Sequence, residues 1–126
     1  MRAEVRRVRF PDIEPGQPFD PENTLQLAEV YVGTVGELGE EQCQVTVRTP
    51  SALTELLATQ PFLVGRHWLF VAEFSAPAVE TALRKLMGNV HASTAAELAE
   101  KVGRVGLWEV RSRRSRRIVL WLTTWT

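Results

Sequence analysis

The chain has 126 residues, 44% of them hydrophobic and 24% charged, with fifteen basic side chains balancing fifteen acidic ones. Such a composition excludes the fibrous and intrinsically disordered classes and suits one domain around a single core. The single cysteine, Cys43, excludes an intramolecular disulfide, and no run approaches the roughly 18 apolar residues that a membrane-spanning helix needs.

The neutral total hides an uneven distribution. Residues 1–10 carry four arginines and one glutamate, a net +3, whereas residues 11–41 carry eight acids and no lysine or arginine. Residues 104–126 carry six arginines and one glutamate, a net +5. An asymmetry of this kind steers charged partners to one face, unless the blocks neutralise each other in the fold. The N-terminus, "MRAEVRRVRF", places arginines where a signal peptide needs an apolar stretch. The expectation is therefore a cytoplasmic protein that makes no use of a membrane.

In chain order, residues 3–10 read as a first strand whose inward phase shifts between Ala3/Val5 and Val8/Phe10, which a bulge near Arg6 and Arg7 reconciles. "PDIEPGQPFDPEN" has four prolines and no periodicity and reads as an ordered loop or a wrap over an edge. Residues 24–32 and 42–47 read as an antiparallel pair joined by the glycine-rich "GTVGELGEE". In the second of these strands Cys43, Val45 and Val47 take the core face, and Gln42, Gln44 and Thr46 take the solvent face. Thr49 and Pro50 start a helix, with Leu53, Leu56 and Leu57 as its buried stripe. "HWLFVAEF", residues 67–74, is nearly continuously apolar and is expected to be a central strand covered on both sides. Ser75 caps a second helix with Val79, Leu83, Leu86 and Val90 at helical spacing. Thr94 and Glu97 form a capping box for a third, which buries Leu98 and Val102 and ends at Gly103. Residues 107–110, "LWEV", form a last short strand.

The predicted fold class is α+β, with an antiparallel or mixed sheet of about five strands and two to three helices packed on one face. The domain is expected to span 1–110. A tail, 111–126, follows as the basic "RSRRSRR" and then an apolar, aromatic segment.

Chemistry finds little support in these residues. Cys43 alternates with core valines and His67 precedes an apolar strand, so both read as structural rather than as a nucleophile and its base. His91 sits at a helix end, where its charge meets the macrodipole favourably. Two histidines and one cysteine give no zinc spacing, and Glu37, Glu40 and Glu41 lack the alternating ligands of a calcium loop. No phosphate-binding glycine pattern is present. The expectation is no catalytic residue, no metal and no cofactor. Two other readings stay open. One is a small enzyme with a pocket at His67 or Glu73. The other is a nucleic-acid-binding module in which the five arginines of "RSRRSRR" meet phosphates and Trp121 and Trp125 stack on bases. The neutral whole and the absence of a recognised nucleic-acid-binding fold count against the last.

The series "VGTVGELGEEQCQVTVRTPSAL", "GRHWLFVAEF", "VETALRKL" and "AAELAEKVGRVGLWEV" resembles, in order and spacing, the bacterial immunity protein 8 family of polymorphic toxin systems. The resemblance spans 12–110. It rests on Gly36, Gly39, Glu40 and Glu41 in one turn, Thr49 and Pro50 with Leu53, Gly65–Arg66–His67, and Trp108 with Glu109. Val110 stands where the family pattern has an aromatic, and "RSRRSRR" replaces an acidic-aromatic ending. The resemblance implies a small non-enzymatic protein that binds and blocks a cognate toxin domain, nucleases with basic clefts being common among such toxins. The toxin-binding candidates are Glu37, Glu40, Glu41, Gln42, Gln44, Trp108 and Glu109. Gly65, Arg66 and His67 read as the entry to a strand.

Overall fold

The computed structural model describes residues 1–109. Its elements run β1 (Ala3–Arg9), β2 (Leu25–Thr34), β3 (Glu41–Arg48), α1 (Pro50–Leu57), β4 (Trp68–Phe70), α2 (Ala76–Gly88), α3 (Ala95–Val102) and β5 (Leu107–Trp108), the predicted order throughout. The five strands form one open, mixed sheet. β1, β2 and β3 are antiparallel neighbours, and the far side of β3 is shared, its C-terminal half pairing with β4 in parallel and its N-terminal half with β5 antiparallel.

One sheet face carries the core. Ala3, Val5, Ala28, Val30, Val32, Cys43, Val45 and Val47 meet Val79, Leu83 and Met87 of α2 and Leu98 and Val102 of α3. The expected phase shift in β1 is present: the register with β2 slips between Val5 and Arg7, so Arg6 is the extra residue of a bulge. The proline-rich segment forms no helix or strand, as expected of an ordered loop, and it packs on Phe74. Phe19 and Phe10 both stand edge-on to Phe74, and the Phe74 amide donates to the Pro21 carbonyl at 2.7 Å.

The helix starts follow their capping residues, with one exception. Ser75 Oγ accepts from the Ala78 amide, and Thr94 Oγ1 accepts from the Glu97 amide. Glu97 returns its carboxylate to the Ser93 amide, one residue earlier than in a capping box, and its Lys101 pair, with this bond second, holds its carboxyl below the usual range. Thr49 is the exception. Its hydroxyl caps no amide of α1 but is buried against Thr24, accepting from the Thr24 amide at 3.0 Å and lying 3.2 Å from the Thr24 carbonyl, so it locks β2 to the end of β3.

Three expectations about burial are corrected. α1 buries Ala52 rather than a leucine stripe, and Leu57 is 44% exposed. In α2 the third inward residue is Met87, while Leu86 faces solvent. The run at 67–74 is not a central strand. β4 has three residues, lies at the sheet edge, and leaves Phe70 52% exposed. The division at 110 and the tail at 111–126 lie outside the described residues.

Candidate functional site

The acidic hairpin and the third helix meet across a groove of about 340 Å³. Val32 and Val102 give it an apolar floor, Leu98 and Trp108 form one wall, and Glu37, Glu40 and Glu41 stand along the facing hairpin side. Local sequence explains the loop. Gly36 and Gly39 have φ of +83° and +94°, a region costly for other residues, and between them the chain turns sharply enough to leave Leu38 fully exposed at the tip.

The loop is held from below by Arg6. Because the bulge adds one residue to β1, the Arg6 guanidinium lies beneath Gly33, and its Nη2 donates to the carbonyls of Thr34 at 3.1 Å and Glu37 at 2.7 Å. Glu4 stands 2.9 Å from Arg6 Nε but off its N–H direction, so the two form an ion pair without a hydrogen bond. Glu40 pairs with Arg7 at 3.2 Å, and Arg7 in turn lies over the Tyr31 ring. Glu37 and Glu41 have no salt-bridge partner among the described residues. Trp108 is fixed on the opposite wall by its indole N–H, which donates to the Ala99 carbonyl at 2.8 Å.

The structure therefore brings together four of the seven predicted site residues, Glu37, Glu40, Glu41 and Trp108. Glu109 is exposed just past β5 and does not line the groove; its amide donates to the Gln42 carbonyl. Gln42 and Gln44 lie on the other face of the sheet, opposite Tyr31 and Glu29. Gln42 is buried there, its side chain donating to the Glu29 carboxylate, so the expectation of a solvated glutamine at that position is corrected. Leu38 and the α3 residues Ala95, Leu98 and Ala99 also line the groove, and none of them is among the predicted site residues. An apolar residue set in a charged turn between Gly36 and Gly39 is the available signal for the first. Nothing local signals the others, because α3 reaches the hairpin only through the tertiary fold.

The residues weighed for chemistry are occupied structurally. Cys43 is fully buried, and burial pushes its thiol up to about 12, far from a reactive thiolate. His67 adopts a left-handed backbone, φ 60°, and its Nε2–H donates to the Gly103 carbonyl at 2.7 Å. Gly65 is in close contact with the Trp68 indole, where a Cβ would come within 2.7 Å of the ring. The Gly65–Arg66–His67 trio thus shapes the entry to β4. His91 lies beyond the end of α2, and it is its backbone that is engaged, bridging Arg2 and accepting from Lys101. Among the described residues no group of three or more His, Cys, Asp or Glu side chains could hold a metal ion, and no helix is long and apolar enough to cross a membrane.

A family model, Immunity protein 8, matches residues 3–112. The match takes in every described element, including β1, which lies outside the expected span of the resemblance, 12–110. The chain belongs to this family. Comparisons with curated proteins and with solved structures give no significant match.

Proposed function

We propose that this Immunity protein 8 family member binds a cognate bacterial toxin domain in the cytoplasm of the producing cell and neutralises it without catalysing a reaction. The family match across residues 3–112 carries the reading. The groove supplies its chemistry: acids on the hairpin side, a fully exposed leucine at the tip and an apolar floor suit a basic toxin surface with an apolar side chain at its centre. Glu37, Glu40 and Glu41 attract and orient the partner, and Leu38 and Trp108 add apolar area. A nuclease with a basic cleft fits this description. Buried Cys43 and the structural bond of His67 support a role in binding rather than turnover.

The test is to co-express the chain with the toxin domain encoded beside it, then reverse Glu37, Glu40 and Glu41 together to lysine. Protection of cells is expected to fall. Association should slow by about tenfold or more at low salt and lose most of its salt dependence, while stability changes little, because exposed substitutions typically cost no more than about 0.5 kcal/mol each. Full protection with an unchanged rate would remove the hairpin from the contact. Failure of the unaltered chain to protect against that toxin would overturn the immunity reading for this pair.

A further inference from the structure

The sheet face turned away from α2 and α3 holds a cation, Arg48, that has no carboxylate partner among the described residues. The register sets Leu25, Arg48 and Phe70 side by side across β2, β3 and β4, and the side chains of Leu25 and Phe70 are 43% and 52% exposed. Between them the Arg48 guanidinium lies over the Trp68 ring at 3.9 Å, and Trp68 stands edge-on to Phe70 at 5.9 Å. Arg48 Nε and Nη1 are buried with no acceptor, and no carboxylate oxygen lies within 4.0 Å of the group among the described residues. The neighbouring edge is open as well. β4 faces β3 through His67, Leu69 and Val71, which leaves the amides and carbonyls of Trp68 and Phe70 directed outward with no backbone partner among the described residues.

We propose that this row is a second docking site, separate from the hairpin groove, for an extended protein segment that presents a carboxylate between apolar side chains. The argument is one of satisfied charge. The Trp68 face compensates the guanidinium only in part, and covering it with a purely apolar surface would remove its remaining water and leave a buried, unpaired cation. A carboxylate accepts from the guanidinium and converts that penalty into a charge-assisted hydrogen bond. Apolar neighbours on the segment cover Leu25 and Phe70, and its backbone finds the free groups of β4. A nucleic acid would need several cations side by side. Beside Leu25 and Phe70 the row offers Arg48 alone; Arg7 and Arg9 of the same face stand on β1, opposite Tyr31 and Glu29.

The probes are three capped tripeptides, Leu-Glu-Phe, Leu-Gln-Phe and Leu-phosphoserine-Phe, titrated onto the isotope-labelled full chain and followed by NMR at the Trp68 indole and Arg48 Nε signals. The glutamate peptide is expected to shift both signals saturably, and the glutamine peptide to bind about tenfold more weakly, as loss of one charge-assisted bond implies. Arg48→Gln should abolish the discrimination between the two. Phe70→Ser, at an exposed edge position, should weaken both peptides while leaving the melting transition in place, which separates lost docking from lost folding. Equal binding of the glutamate and glutamine peptides overturns the proposal, and so does tighter binding of the phosphoserine peptide. Shifts that follow protein concentration without peptide would assign the row to a second copy of this chain and overturn it too.

Discussion

His67 Nε2–H donates to the Gly103 carbonyl at 2.7 Å, a bond across 36 residues that ties the entry of β4 to the end of α3. The same residue offers its own carbonyl to the Thr46 amide at 2.9 Å, so one left-handed histidine joins helix, edge strand and sheet. Replacing it with alanine removes the side-chain bond and keeps the unfavourable backbone. We expect His67→Ala to cost about 1–3 kcal/mol in chemical denaturation. His67→Gly relieves the backbone and should be milder by about 1 kcal/mol. The opposite ranking would mean that the φ of 60° is not a strained position.

Core position, not hydrophobicity alone, decides the cost of truncation. Leu83 is fully buried between α2 and the sheet, and Leu83→Ala is expected to cost about 2–5 kcal/mol. Phe70 is larger but half exposed at the edge, so Phe70→Ala should cost about 1 kcal/mol or less. Thermal or denaturant melts of the two variants check the order. A larger loss at Phe70 would restore it to the core.

That reversal shows where sequence reading stops. Alternation marked the faces of β3 and the bulge in β1, because a period of two and a one-residue phase slip are local facts. Ser75 and Thr94 announced their helices for the same reason. The run at residues 67–74 misleads because an unbroken apolar stretch reads alike whether a strand is central or sits at an edge, where β5 takes half of the ladder. Helical spacing alone turns Leu57 and Leu86 inward, although Ala52 and Met87 are the residues that lie buried. Thr49 fulfils its place before Pro50, yet tertiary contact redirects its hydroxyl to Thr24. In the candidate site the hairpin acids were legible as a charged turn. Their opposition to Trp108 and Leu98 was not, since more than fifty residues separate the two walls.

Cys43 supplies a prediction in pH. Its thiol is raised from 9.0 to about 12 by burial, so the folded protein keeps it protonated while the unfolded chain ionises near 9. The unfolded state then binds fewer protons between these values, and stability should fall as pH rises from about 9 toward 12. Cys43→Ala should flatten that part of the stability curve while lowering it at neutral pH through the cavity it leaves. At neutral pH, alkylation of Cys43 should follow global unfolding. Rapid labelling of the native protein would show that the thiol is accessible.

Arg6 connects the bulge of β1 to the geometry of the hairpin. Two carbonyls, Thr34 and Glu37, converge on its Nη2, and the Glu37 amide returns to the Thr34 carbonyl at 3.0 Å, so the loop is closed by bonds that share one guanidinium. Arg6→Met keeps an apolar stem at this position and removes the guanidinium that lies beneath Gly33, and with it the donors. We expect a stability loss of about 1–3 kcal/mol, faster hydrogen exchange at the Glu37 amide, and unchanged exchange in the α2 interior. Under the immunity reading, toxin association should also slow, because Glu37, Glu40 and Glu41 keep their charges but lose their fixed positions. Slower exchange at Glu37, or exchange equal to that of the unaltered chain, would show that the two glycine turns hold the loop without Arg6.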